Sequence, residues 1–236
     1  MNVRDFLIEH LHDLAEESFE KGTAFSSFLS LDEQHLFFMH RREFSYVPYG
    51  FNHEEDYLRR MLFFGEKKSF PLTVLKAKVE NTLSHRDVLG AYMNLGLDRS
   101  TLGNIKVTEK EVFIEVLEHV APLVMSEFTS IRREKVNFSF YDGEVDFRPR
   151  MKEVEIISSS NRLDGILSSL YKLSRQDAKD LVDKGKVLVL GKTAKNTLSL
   201  EEGDVVSVRG FGKFLFEGLL RETKKERQVL LVYEFS

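Results

Sequence analysis

The cations between Asn161 and Gly212 are the residues whose types and spacing point most directly to a chemistry. The stretch reads N-R-L-D-G-I-L-S-S-L-Y-K-L-S-R-Q-D-A-K-D-L-V-D-K-G-K-V-L-V-L-G-K and, after a short gap, G-D-V-V-S-V-R-G-F-G. Arg162, Arg175 and Lys179 are spaced to present donors on one surface. Lys186, Lys192 and Arg209 follow around short apolar runs. Guanidinium and ammonium groups fixed on small rigid elements suit a nucleic-acid backbone better than a small-molecule active site.

Other chemistries have less to work with. No G-x-x-x-x-G-K phosphate loop occurs, and Gly210-x-Gly212 comes late in the chain and lies between strands, where a dinucleotide turn leads from a strand into a helix. The seven histidines all lie upstream, at 10, 12, 35, 40, 53, 85 and 119. His10 and His12 are two apart, which a helix does not place on one face. His35, His40 and His53-Glu54-Glu55-Asp56 assemble into a metal site only on paper, since no H-x-x-x-H spacing supports it. The chain has no Cys, so neither disulfides nor thiolate metal ligands are available. These features predict a protein that is not an enzyme, with no cofactor, no metal and no small-molecule substrate.

The elements that must position the cations follow from local signals. Asn161 and Ser174 each stand three residues before an Asp, at 164 and 177, which predicts two helix starts with Asp164 and Asp177 as capping partners. The first helix would bury Leu163, Ile166, Leu167 and Leu170, and the second Ala178, Leu181 and Val182, with Gly185 as its left-handed cap. Arg175 and Lys179, four apart, then share the outward face, and Arg162 can join them. Lys186–Leu190 predicts a strand, Gly191-Lys192 a turn, and Asp204–Arg209 a second strand. A hairpin with arms Phe214–Leu220 and Val229–Phe235 closes the chain through the polar turn Glu222–Arg227. Two angled helices also suit a DNA-binding helix-turn-helix, but a recognition helix has no need of this β-appendix.

The 236 residues carry a net charge of −4, unevenly divided. Residues 160–236 hold 14 Lys+Arg against 11 Asp+Glu, and the remainder is net acidic. Local basic surface sets phosphate affinity, so this split marks the carboxy-terminal third as a unit with its own partner. No apolar run is long enough for a membrane span, and the first residues lack the apolar core of a secretory signal. A cytoplasmic monomer is expected.

Upstream, residues 1–70 predict a mostly helical domain, with a stripe of Phe6, Leu7, His10, Leu11 and Leu14. A second helix starts at Ser30 or Asp32, and His53–Phe64 reads as a short helix passing into a strand. The many Phe residues read as core. Residues 71–155 predict a small α/β sandwich: strands at 72–79, 112–116 and 136–141, and helices from Ser84 and from Glu118 to Ile131. Phe138 and Phe140 would share one face of the last strand, as buried core or as a base-stacking surface.

Taken together, R-L-D, L-S-R-x-x-A, K-G-K-V-x-V-x-G-K and G-D-V-V resemble the S4 RNA-binding domain, covering 156–236. With Phe28-Leu29-Ser30-Leu31-Asp32-Glu33-Gln34, Tyr49-Gly50-Phe51 and Leu83–Ile105 upstream, the whole chain resembles the YlmH family of bacterial proteins. The resemblance implies an α+β protein of three parts: a helical amino-terminal domain, an RRM-like middle domain and an αL-type S4 domain. It implies a ribosome-associated factor that binds rRNA of the large ribosomal subunit, and tRNA, in rescue or quality control of stalled translation, where it stabilises peptidyl-tRNA. Arg162, Arg175 and Lys179 would take phosphates, with Lys186, Lys192 and Arg209 in second rank. Two alternatives stay open. One is an RNA-modifying enzyme, pseudouridine-synthase-like or methyltransferase-associated, that docks through S4. The other is an adaptor linking ribosomes to cell-division proteins.

Overall fold

The computed structural model describes residues 3–54, 57–223 and 227–235. The chain is α+β and divides into two compact units, 1–148 and 149–236, where the sequence suggests three domains.

Unit 1 begins with α1 (Val3–Lys21), β1 (Thr23–Leu29), α2 (Leu31–His40), β2 (Tyr49–Phe51) and β3 (Arg60–Gly65). The region expected to be mostly helical therefore contains an antiparallel sheet, ordered β1-β3-β2. Its first strand, T-A-F-S-S-F-L, buries Ala24, Ser26 and Phe28 by simple alternation. Ser26 is tolerated there because its hydroxyl donates to the Ser27 carbonyl and accepts the Leu62 N–H. His53–Phe64 does not form the expected helix; β3 takes its second half, and Glu55 and Asp56 lie outside the described residues. The buried stripe of α1 runs through Leu11, Leu14, Ala15 and Ser18, while Phe6 and His10 face solvent. Phe28, Phe37, Phe44 and Phe64 are fully buried, each worth about 1.5–3 kcal/mol of transfer free energy.

Next come β4 (Leu72–Lys78), α3 (His85–Met93), β5 (Leu102–Val107), β6 (Glu111–Leu117), α4 (Ala121–Glu127), β7 (Ser130–Ile131), β8 (Glu134–Lys135) and β9 (Ser139–Tyr141). The β-α-β-β-α-β order gives an all-antiparallel sheet, β5-β6-β4-β9. Ser84 and Asp87 form a full capping box at α3, with Asp87 accepting the Ser84 N–H at 2.9 Å. Leu75, Ala77, Val112, Ile114 and Val116 face the core under α3 and α4. Phe28 and Met61 enter the same core, so the amino-terminal segment and this sheet share one interior. The expected helix from Glu118 to Ile131 ends at Glu127. A hairpin follows, with Arg132 and Arg133 at its tip and Arg132 at φ 57°. Phe140 pairs with Leu75, which packs in the same core as Phe138, so the two rings lie on one side of the strand as expected. Only Phe138 is buried, 3% exposed and stacked on Phe128, while Phe140 on the sheet edge is 61% exposed.

Unit 2 contains β10 (Met151–Ser158), α5 (Leu163–Leu170), α6 (Arg175–Asp183), β11 (Val187–Val189), β12 (Lys192–Thr193), β13 (Val205–Val208), β14 (Gly212–Glu222) and β15 (Gln228–Phe235). One antiparallel sheet runs β10-β15-β14-β13-β11-β12, and its apolar side packs with Leu163, Ile166, Leu167, Ala178 and Val182 from the two helices. The expected closing hairpin is β14–β15; its turn falls partly outside the described residues. α6 ends in a Schellman motif: Gly185 at φ 64°, its N–H on the Val182 carbonyl, and the Lys186 N–H on that of Leu181. The β11–β12 turn is Leu190-Gly191, both at positive φ, one residue earlier than the sequence suggests, and Lys192 opens β12.

Candidate RNA-binding surface

Helix α5 starts differently from the sequence expectation, and the difference defines the site. Its N-cap is Arg162, not Asn161. Asn161 is committed elsewhere, its side-chain amide donating to the Leu200 carbonyl at 2.8 Å and its own carbonyl accepting the Leu200 N–H. This tie fixes Arg162 against Ser199 as a β-bridge just before the helix. Asp164 then falls in the first turn, where it accepts the Gly165 N–H at 3.0 Å and sits at the positive end of the helix.

Asp164 is the hub. Its side chain is only 3% exposed, yet two half-exposed arginines reach it: Arg162 Nε at 3.2 Å from Oδ1, and Arg175 Nη1 at 3.5 Å from Oδ2. Burial on its own would raise the Asp164 pKa. The hydrogen bond from Arg162, the charges of Arg162 and Arg175 and the Gly165 amide outweigh it and hold the carboxyl below its ordinary value. Gly165 leaves room for this arrangement, since a Cβ there would lie 3.1 Å from Arg175 Nη1. Arg175 also donates to Ser159 Oγ at 3.4 Å, and Arg162 to the Asn196 carbonyl at 3.5 Å. One buried carboxylate thus holds two guanidinium groups from different helices side by side at the surface, with one net positive charge left over.

Ser174 caps α6 as expected, accepting the Asp177 N–H at 3.0 Å. Lys179 lies one turn beyond Arg175 and is half-buried. The flank of α6 bearing Gln176 and Asp180 is not basic, because Asp180 accepts from Gln176 and pairs with Lys184. The basic edge of this helix is therefore narrow. Lys186 and Arg209 form a second set. The register of β11 with β13 continues to place them opposite one another, and the Arg209 N–H donates to the Lys186 carbonyl at 2.8 Å. The length of α6, about 13 Å at 1.5 Å per residue, separates this set from Arg175. Lys192, opposite Val189 on the edge strand β12, belongs to neither set.

Two features escaped the sequence reading. Asp164 acts as a positioning carboxylate, not a cap, and only the burial of an acid between two arginines reveals it. Phe211 stands two residues after Arg209, its ring tilted against Tyr171 with centroids 4.7 Å apart, and it is 44% exposed. A ring beside a cation in this way can receive a base. The flanking glycines of G-F-G were the available signal. Among the described residues no three His, Asp or Glu side chains converge on a metal position, and no helix is long and apolar enough to cross a membrane.

Comparisons with known proteins give a family match, a relative and a solved structure. Residues 67–143 match the family described as "Putative RNA-binding domain in YlmH". The ribosome-associated protein quality control protein P2 of Bacillus subtilis (strain 168) is 31% identical over 169 residues, spanning 69% of this chain and 65% of that protein. The chain thus matches just under two thirds of that relative's length. A solved structure, the cell division protein ylmH from Streptococcus pneumoniae, superposes with a TM-score of 0.48 at 14% identity, over 60% of this chain and 93% of that one.

Proposed function

The chain belongs to the YlmH family, and we propose that it is a ribosome-associated RNA-binding protein. In this reading residues 156–236 form an S4 domain that holds rRNA of the large ribosomal subunit, and tRNA, during rescue or quality control of stalled translation. The relative of that name in Bacillus subtilis supports the setting, and the family description supports RNA as the ligand. Residues 1–70 and 71–155 serve as an amino-terminal and a middle part, joined through the interior they share. The protein works as a monomer in the cytoplasm and is not an enzyme.

The observation that carries the reading is the pairing of Arg162 and Arg175 on Asp164. An ion pair built for stability alone gains little at half-exposed arginines, roughly 0–1 kcal/mol. Two guanidinium forks fixed in advance by one carboxylate, in contrast, meet successive phosphates with less ordering cost. Lys179 extends that edge, and Lys186, Arg209 and Lys192 supply further phosphate donors. Contacts of this kind read the shape of folded RNA through its backbone.

The test is co-sedimentation with large ribosomal subunits. Arg175→Glu with Lys179→Glu is expected to abolish it. Because a glutamate beside Asp164 can unsettle the fold, Arg175→Gln with Lys179→Gln is measured alongside. That milder pair is expected to lower the slope of log K against log salt by about 2. Full co-sedimentation by both folded variants would remove the basis of the assignment.

A further inference from the structure

The family description gives RNA binding to residues 67–143 without naming a surface. Layouts of this kind usually stack bases on the open face of the sheet. Here the face opposite α3 and α4 is covered in its middle: Leu58, Phe113 and Phe147 form a buried cluster there, backed by Val74, Tyr141 and Val145. The other face is core. A nucleic-acid ligand of this segment is left with its helices, edges and loops.

The β7–β8 hairpin is such a loop, and its tip is strained. Ile131 pairs with Glu134, so Arg132 and Arg133 are the central residues of a two-residue turn. Only the first of them has a positive φ, at 57°. Hairpin turns with that backbone at the first central position favour glycine there, because a Cβ crowds the following carbonyl. This chain has an arginine instead. A side chain held where glycine would sit freely points to a task for that side chain. The ion pair with Asp87 is not task enough. Arg132 Nη1 lies 3.5 Å from Asp87 Oδ2, but the arginine side chain is 68% exposed. Asp87 is also committed to the cap of α3, accepting the Ser84 N–H at 2.9 Å and the Ser84 hydroxyl at 2.8 Å. A surface pair of this geometry adds too little stability to offset the strain of the turn.

What the turn does produce is a set of cations. Arg133 is exposed beside Arg132, Arg86 is exposed next to Asp87 in the first turn of α3, and Lys135 is exposed at the base of the hairpin. Arg86, Arg133 and Lys135 form no ion pair among the described residues. Glu134 is turned inward, accepting the Glu80 N–H at 2.6 Å and the Asn81 side-chain amide. Glu80 itself is exposed at that base and opposes the cations with one charge. The hairpin carries no aromatic ring, so it offers a nucleic acid phosphate contacts and no stacking. We propose that the β7–β8 tip is an RNA contact of residues 67–143, with Arg132 and Arg133 on backbone phosphates and Arg86 beside them. Asp87 then aims the Arg132 guanidinium, and the turn places both arginines at the point of the loop. Contacts of this kind suit duplex RNA, which presents its phosphates outward and is read by shape.

This inference rests on the RNA-binding reading but on a different surface, so the two can fail separately. The experiment measures binding of a fluorescein-labelled RNA duplex of about 16 base pairs to the full chain by anisotropy across salt concentrations, with thermal melting alongside. Arg132→Gly with Arg133→Gln is expected to weaken binding at least tenfold and to lower the salt slope by about 1.8, at roughly 0.9 per phosphate contact. Its melting temperature stays within about 2 °C of the wild type, because glycine relaxes the turn while the Asp87 pair is lost. If Arg132 served only the fold, this variant would melt lower and bind RNA like the wild type; that result overturns the proposal. Two changes leave the turn alone and decide the matter should the first variant not fold. Arg86→Gln should weaken binding about fivefold, and Glu80→Gln should strengthen it about twofold; unchanged affinity in both overturns the site. Arg162→Gln with Arg175→Gln separates the two surfaces. Wild-type affinity in the hairpin variant with weakening in that pair overturns the hairpin and leaves the carboxy-terminal surface standing. Tenfold weakening in the hairpin variant with wild-type affinity in that pair supports the hairpin and refutes the carboxy-terminal surface instead.

Discussion

Replacing Asp164 with asparagine removes one charge at nearly constant volume. The new amide oxygen can still accept the Gly165 N–H, but its NH₂ group meets the donors of Arg162 and Arg175. With the arginine side chains 44% and 51% exposed, solvent screening limits each lost ion pair to about 0.5 kcal/mol. A buried amide donor without a partner adds about 1 kcal/mol. The total is roughly 2 kcal/mol. For a unit of this size each kcal/mol is worth about 4–8 °C, so the melting transition of residues 149–236 falls by roughly 10 °C at pH 7. The effect has a pH signature. The Asp164 carboxyl has a lower pKa folded than unfolded, so its stabilisation is complete above the unfolded value of about 3.9 and is lost as pH falls through the folded one. Differential scanning calorimetry of both proteins between pH 7 and pH 2 measures the gap. RNA binding should weaken as well, because the arginines lose their common anchor, although the surface gains net positive charge. A variant melting within a degree or two of the wild type at pH 7, or a gap undiminished at pH 2, would refute the reasoning.

Two further substitutions probe the scaffold. Gly103→Ala places a Cβ 2.5 Å from the Phe28 ring and 2.9 Å from Glu115 Oε2, the oxygen that accepts the Asn104 side-chain amide at 2.6 Å. Overpacking of this kind should cost about 1–3 kcal/mol, read as a lower denaturation midpoint for unit 1; an unchanged midpoint would show that the Phe28 ring moves freely. Gly185→Ala puts a side chain on the left-handed cap of α6 and should cost about 1 kcal/mol while sparing Arg162 and Arg175. RNA affinity that drops out of proportion to that cost would tie the end of the helix to binding.

What could be read from the sequence was local. Ser174 and Gly185 mark both ends of α6 because a cap acts within three residues of itself, and the structure places the helix between them. Leu72–Lys78 and Glu111–Leu117 carry enough apolar and β-branched residues to read as strands. The amino-terminal sheet was hidden because Thr23–Leu29 alternates small and polar residues with its two Phe, a weak period-2 signal. Asp164 was misread because its role depends on Arg175, eleven residues away on another helix. Phe138 and Phe140 share a face, but their different burial was not legible, since only Phe138 meets the Phe128 ring while Phe140 lies on an edge strand. In each case a partner distant in sequence decided the outcome.

A structure of the full chain bound to large ribosomal subunits tests the central claim most directly. The account predicts phosphate oxygens of ribosomal RNA or tRNA within hydrogen-bonding distance of Arg162 and Arg175, with Asp164 still bridging the two arginines beneath them. RNA seated elsewhere on the chain, with that face turned to solvent or covered by protein, would contradict it.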